Sequence, residues 1–189
     1  QFILLDSRFF RSDLVAMPYR DPGPTLGWYI PNTDPKATLL GDAQWQWLEA
    51  QLQTPADVRF IVSGVQVVAE GHGWEGWHNL PLEQVMLSHL IQRRDDNGVV
   101  LLSGDRHIGA IYKSPSPNVY PLYEITSSGL THAWSTANEA GPNRLGNLVT
   151  QNHFALIELD WQHRRLQIGF KNTDDHWLKR ESNALSELQ

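Results

Sequence analysis

Four aliphatic residues, Val99-Val100-Leu101-Leu102, run directly into Ser103-Gly104-Asp105-Arg106-His107. A short unbroken apolar run containing two β-branched residues predicts a buried strand. It stops at a glycine, and three residues follow whose side chains can hold a metal or an anion. In an α/β sheet, ligands sit at the C-terminal ends of the strands. This junction therefore constrains both the fold and the place where chemistry would occur.

Bulk properties narrow the classes. A chain of 189 residues fits one domain with a sizeable core. Its net charge of −6 argues against a nucleic-acid footprint. The absence of cysteine excludes disulfides, thiolate-bound zinc and a cysteine nucleophile. No apolar stretch approaches the ~20 residues of a membrane span. Gln1-Phe2-Ile3-Leu4-Leu5 begins almost inside a strand-like run, so the chain reads as the C-terminal part of something longer. Eight tryptophans are many, and their N–H groups need partners when buried, which points to element interfaces or a pocket wall.

Along the chain, Phe2–Leu5 is expected as a buried strand and residues 11–40 as a long loop. Asp42 is the expected N-cap of a helix, with Trp45, Leu48 and Leu52 recurring at helical spacing and Pro55 beyond its end. Val58–Val68 is strand-like with interruptions. Pro81 opens a second helix to about Arg93, with Val85, Leu87, Leu90 and Ile91 as its apolar side. Asp96-Asn97-Gly98 is a turn before strand 99–102. Tyr120–Thr126 is a further strand, and 132–151 is a loop. Phe154–Asp160 and Arg165–Phe170 form a hairpin, and Ala184–Leu188 a last edge strand. The order predicts α/β, with antiparallel strands in the second half.

Several residues carry candidate chemistry. Residues two apart on a strand share a side, so Asp105 and His107 would face one point if extended geometry continues past Gly104. One carboxylate and one imidazole suit a metal that takes mixed O/N ligands. The other reading is a surface Asp and a His bonded to backbone. Arg106 offers a fork for phosphate oxygens or, pointing the opposite way, a structural salt bridge. Gln66, just after a strand, could ligate a metal, hold an oxyanion, or order its loop as a satisfied amide. Asp6 and Arg8 are expected to form a structural ion pair, with each other or with a neighbouring loop, and Ser127-Ser128-Gly129 a turn with side-chain hydrogen bonds. His72, His78, His132 and His153 lie in loops and are expected to be exposed.

The motifs taken in order resemble a known family. They are Leu5-Asp6-Ser7-Arg8-Phe9-Phe10-Arg11, Leu39-Leu40-Gly41-Asp42-Ala43-Gln44-Trp45, Val62-Ser63-Gly64-Val65-Gln66, Gly73-Trp74-Glu75-Gly76-Trp77, Leu102-Ser103-Gly104-Asp105-Arg106-His107 and Glu124-Ile125-Thr126-Ser127-Ser128-Gly129. This set resembles the C-terminal half of the alkaline phosphatase D (PhoD-like) family, within the calcineurin-like metallophosphoesterases. The resemblance implies the C-terminal part of a four-layer α/β/β/α sandwich, with residues 1–189 belonging to one domain. It implies hydrolysis of small phosphate mono- or diesters by a metal-activated water. Asp105 and His107 are then metal ligands on different ions, in a site with two or more divalent or trivalent metals, calcium and iron among them. Arg106 and Gln66 would meet charge on the phosphoryl oxygens. Gln66 stands roughly where relatives outside this branch carry a metal-binding His. The superfamily's earlier metal motifs are absent from this chain, so it would supply only part of a site. The resemblance also points to a periplasmic or secreted protein. The competing class is a non-catalytic binding module whose Trp-rich loops, 71–81 and 130–135, hold a sugar or peptide.

Overall fold

The structure, a computed structural model, describes residues 1–18, 27–93, 98–114 and 122–188. Its centre is a five-stranded sheet. The members are β1 (Phe2–Leu5), β4 (Arg59–Ser63), β5 (Val99–Ser103), β6 (Gly109–Lys113) and β7 (Tyr123–Ser127), in the order β1-β4-β5-β7-β6. The first four are parallel, and β6 returns antiparallel along β7. Parallel neighbours need a crossover, and the helices α1 (Asp42–Gln51) and α2 (Pro81–Gln92) supply two of them. A small ladder of β2 (Val15–Ala16) and β3 (Tyr29–Ile30) interrupts the region expected as loop.

Each strand's burial follows from its place. β5 lies between β4 and β7, so the run Val99-Val100-Leu101 is buried on both faces. β1 is an edge strand, and it corrects the expectation of a wholly buried one. Ile3 and Leu5 point inward, while Phe2 and Leu4 are each 66% exposed. One face of the sheet packs Ile3, Leu5, Ile61, Leu101 and Tyr112 against Trp45 and Leu48 of α1 and Leu87 and Ile91 of α2. The opposite face packs Phe60, Val100, Ile111 and Ile125 against Leu166, Ile168 and Phe170. Those three residues come from β9 (Arg165–Lys171), the middle strand of an antiparallel sheet with β8 (Phe154–Asp160) and β10 (Trp177–Ala184). The described residues thus form three layers, α/β/β.

Four local expectations change. Asp42 is the first residue of α1, and Gly41 holds the N-cap position. On α2, Leu87 and Ile91 are buried one turn apart, but Val85 is half exposed on the solvent side with Leu82 and Met86. The last strand is β10, and Leu185–Leu188 is a 3₁₀ turn that buries Leu185 and Leu188. Their three-residue spacing suits one such turn, whereas a strand would place them on opposite faces. β6 was not expected at all. The turn at Asp96-Asn97 and the start of the strand at Tyr120 lie outside the described residues.

Two buried carboxylates tie loops to this frame. Glu83 of α2 accepts the Leu39 and Leu40 amides at 2.7 and 3.2 Å. Glu124 of β7 accepts three amides after β4, from Val67 and Val68 at 2.7 Å each and Ala69 at 3.0 Å. Burial pushes the Glu124 carboxyl up, against the pull of Ser103 and these amides. Glu124→Ala strands three buried donors, and equilibrium unfolding should show a loss of about 3 kcal/mol.

Candidate active site at the strand ends

The parallel strands all finish at one rim. Asp6-Ser7-Arg8 follows β1, Ser63-Gly64-Val65-Gln66 closes β4, Ser103–His107 closes β5, and Ser127-Ser128-Gly129 closes β7. The loops approach closely: a Cβ on Gly64 would stand 2.9 Å from the Ser7 hydroxyl. Gly104 is less constrained, since a Cβ there would meet only ordinary contacts from 3.7 Å outward.

Extended geometry does not continue past Gly104. Asp105 and His107 have φ of 71° and 55°, so both residues occupy the left-handed region. For ordinary residues this conformation costs about 1–2 kcal/mol, less for Asp. Such strain persists where its surroundings hold it, often at functional positions. Here Arg106 N–H bonds Gly104 O at 2.9 Å, His107 N–H donates to Ser128 Oγ at 2.8 Å, and Trp134 N–H takes His107 O at 2.8 Å. The expected Ser128 turn bond is thus present, with the motif as its partner. Asp105 and His107 emerge exposed, and Arg106 between them is buried.

Arg106 points inward. Its Nη2 pairs with Glu139, and the side chains are 8% and 1% exposed. The guanidinium stacks on Trp74 and Trp134, 5.6 and 5.3 Å from the ring centroids. Removing one member of a buried pair costs about 3–5 kcal/mol. Arg106 is therefore placed as the anchor of the turn, its guanidinium enclosed by Glu139, Trp74 and Trp134.

Gln66 is also inside, fully buried. Its Nε2 donates to Thr126 Oγ1 at 2.9 Å and to the Tyr112 hydroxyl at 3.3 Å. Ser103 and Thr126 share a further bond at 2.8 Å. Burial pushes the Tyr112 hydroxyl up to about 12. The amide donors of Gln66 are thus engaged, leaving Oε1 without a partner among the described residues.

Two residues named from the sequence, Arg8 and His132, also reach the rim. Arg8 does not pair with the Asp6 side chain. Asp6 Oδ1 instead accepts the Arg8 and Phe9 amides at 2.9 Å each, which holds its carboxyl below the usual range. The Arg8 guanidinium spans Asp105 Oδ1, at 2.6 Å, and Glu75, which Arg11 also contacts at 3.1 Å. Exposed pairs of this kind contribute about 0–1 kcal/mol. His132 is exposed as expected, and its ring stands edge-on to His107 at 5.2 Å.

His72 and His153 are buried, contrary to expectation, and His78 is partly so. His72 Nδ1 accepts the Trp74 amide at 3.0 Å, and its ring meets His78 at 4.9 Å. Burial lowers the His72 ring to about 3, helped by His78 and Arg106. The unfolded chain binds a proton there below about pH 6.5, and the folded chain does not until about pH 3. His72 therefore takes stability away as pH falls through that window. Urea unfolding should show about 2 kcal/mol lost from this ring between pH 7 and 5. His72→Asn keeps an acceptor for Trp74 and should flatten the slope, His78 contributing what remains.

The donors suit part of a metal site. Asp105 offers an anionic oxygen, and the His107 ring nitrogens have no hydrogen-bond partner among the described residues. Among those residues no group of three or more His, Asp or Glu could hold an ion. Two ligands fall short of the four or more of a closed site.

Parallel strand ends that carry a strained, polar turn define an α/β protein of the class that binds ligands at its sheet's C-terminal rim. A family model described as PhoD-like phosphatase matches residues 1–169. The chain belongs to the PhoD-like phosphatase family. A solved structure, described as the structure of PhoD, superposes with a TM-score of 0.71 at 16% identity. It covers 97% of this chain, which spans 38% of the length of that one. No curated protein matches.

Proposed function

We propose that residues 1–189 form the C-terminal part of a phosphoesterase domain that hydrolyses small phosphate mono- or diesters with bound metal ions. The observation that carries this is the exposed Asp105–His107 turn at the rim of the parallel sheet, within a PhoD-like chain. Asp105 would hold metal through oxygen and His107 through a neutral ring nitrogen. Calcium and iron are the metals proposed, from the family resemblance. When bound, such ions lower the pKa of a water and neutralise phosphoryl charge. The chain's own residues fix where that happens. Arg106 and Glu139 lock the turn from beneath, and Ser128 fixes the His107 amide. Gln66, through Thr126, braces the ends of β4 and β7 from inside.

The binding-module reading has less support, because Trp74 and Trp134, half-buried, each hold Arg106 over the ring and Trp77 is fully buried. No described helix is long and apolar enough to cross a membrane. Export to the periplasm or medium is proposed from the resemblance alone.

The test is hydrolysis of p-nitrophenyl phosphate and bis(p-nitrophenyl) phosphate by the full protein. Turnover of at least one, abolished by exhaustive chelation and restored by calcium with iron, is expected. A rate that survives complete metal removal contradicts the proposal.

A further inference from the structure

We propose that Arg8 is the residue of this chain that binds the phosphoryl oxygens of substrate, an assignment that rests on the phosphoesterase reading and gives it a substrate contact. Among the described residues two arginines, Arg8 and Arg106, lie at the β5 turn, and their surroundings divide their roles. Arg106 is enclosed by Glu139, Trp74 and Trp134, and withdrawing it would strand a buried carboxylate. Arg8 arrives from β1, 97 residues away in sequence, with its side chain half exposed.

The Arg8 backbone is fixed while its fork is held only by exchangeable pairs. Asp6 clamps the amides of Arg8 and Phe9, and Gln44 binds Asp6 N–H at 2.8 Å and Asp6 O at 2.9 Å. The two terminal nitrogens bridge Asp105 and Glu75, both partly open to solvent. The two terminal nitrogens of a planar guanidinium, each now on a separate carboxylate, can together bind two oxygens of one tetrahedral phosphate. Glu75 also holds Arg11, so this carboxylate keeps a cationic partner when Arg8 turns to an anion. The guanidinium therefore stands at the carboxylate of the motif, with freedom to trade a weak partner for a doubly charged one.

The test measures inorganic phosphate as an inhibitor of p-nitrophenyl phosphate hydrolysis by the full protein, together with metal content. Arg8→Gln should raise the phosphate Ki and the substrate KM about tenfold or more, with metal content unchanged. Arg8→Lys should fall between, because an ammonium supplies charge without the fork. The thermal midpoint should shift little, since the pairs are exposed. An unchanged Ki in an active Arg8→Gln protein overturns this assignment alone. Loss of metal or of kcat with Ki intact also overturns it, and makes Arg8 a positioning residue for Asp105. A wild-type protein that neither turns over the ester nor binds phosphate overturns both this assignment and the phosphoesterase reading.

Discussion

Arg106→Ala lowers the unfolding free energy by about 4 kcal/mol, read as a shift of the denaturant midpoint. The truncation leaves Glu139 buried with its charge uncompensated and empties the slot between Trp74 and Trp134. Part of the pair's hydrogen-bonding capacity is already unmet, since Arg106 Nε and Glu139 Oε1 have no partner among the described residues. That makes the ion pair itself a weak source of net stability, but it does not lessen the penalty for breaking half of it. The double variant Arg106→Met, Glu139→Leu should accordingly recover most of the loss. A midpoint for Arg106→Ala equivalent to less than about 1 kcal/mol would show that the guanidinium is not the anchor described.

On the proposed function, Asp105→Ala and His107→Ala should act in the opposite sense, on chemistry and hardly on stability. In the full protein each should lower kcat/KM for p-nitrophenyl phosphate by about a thousandfold or more. Groups that merely support a metal ligand already cost ten- to a hundredfold, and single electrostatic groups at a reacting centre a hundred- to a thousandfold. Both residues are exposed, and the Asp105 side chain, partly open to solvent, makes only a surface ion pair, so folding loses little. His107→Gly sharpens the contrast. Glycine accepts a φ of 55° without strain, so this variant should gain up to about 1 kcal/mol of stability while losing activity. A variant that loses both together would mean that the His107 ring supports the fold.

The part of this behaviour legible in the sequence is the part set by local pattern. Val99–Leu102 reads as a central strand because both of its faces are covered, and nothing polar interrupts the run. The Phe154–Lys171 hairpin reads from its alternation, with Leu166, Ile168 and Phe170 on the buried side. β10 does not read, because Trp177–Ala184 is an outer, mostly polar strand whose residues are half-buried or exposed, with no alternating buried face. β6 is missed for a different reason: Gly109-Ala110 is too small to signal a strand, although both residues are buried.

The site divides in the same way. That Asp105 and His107 lie at a strand end follows from the run before them. That they leave the strand in left-handed geometry, with Arg106 driven inward, depends on Glu139, Trp74 and Trp134, which reach the turn from other loops. The approach of Arg8 to Asp105 depends on how β1, β4 and β5 are ordered, and no local pattern encodes that order. Nor does any local signal mark His72 as buried, since its enclosure comes with the fold, its ring packed edge-on to His78.

Metal stoichiometry in the full protein tests the central claim most directly. Wild type, Asp105→Ala and His107→Ala, purified alike, would be assayed for bound metal by elemental analysis. If the turn after β5 is part of a phosphoesterase metal centre, wild type carries two or more ions per chain and each variant retains fewer. If both variants keep the full wild-type complement, Asp105 and His107 are not ligands, and the turn's strained geometry serves something other than metal.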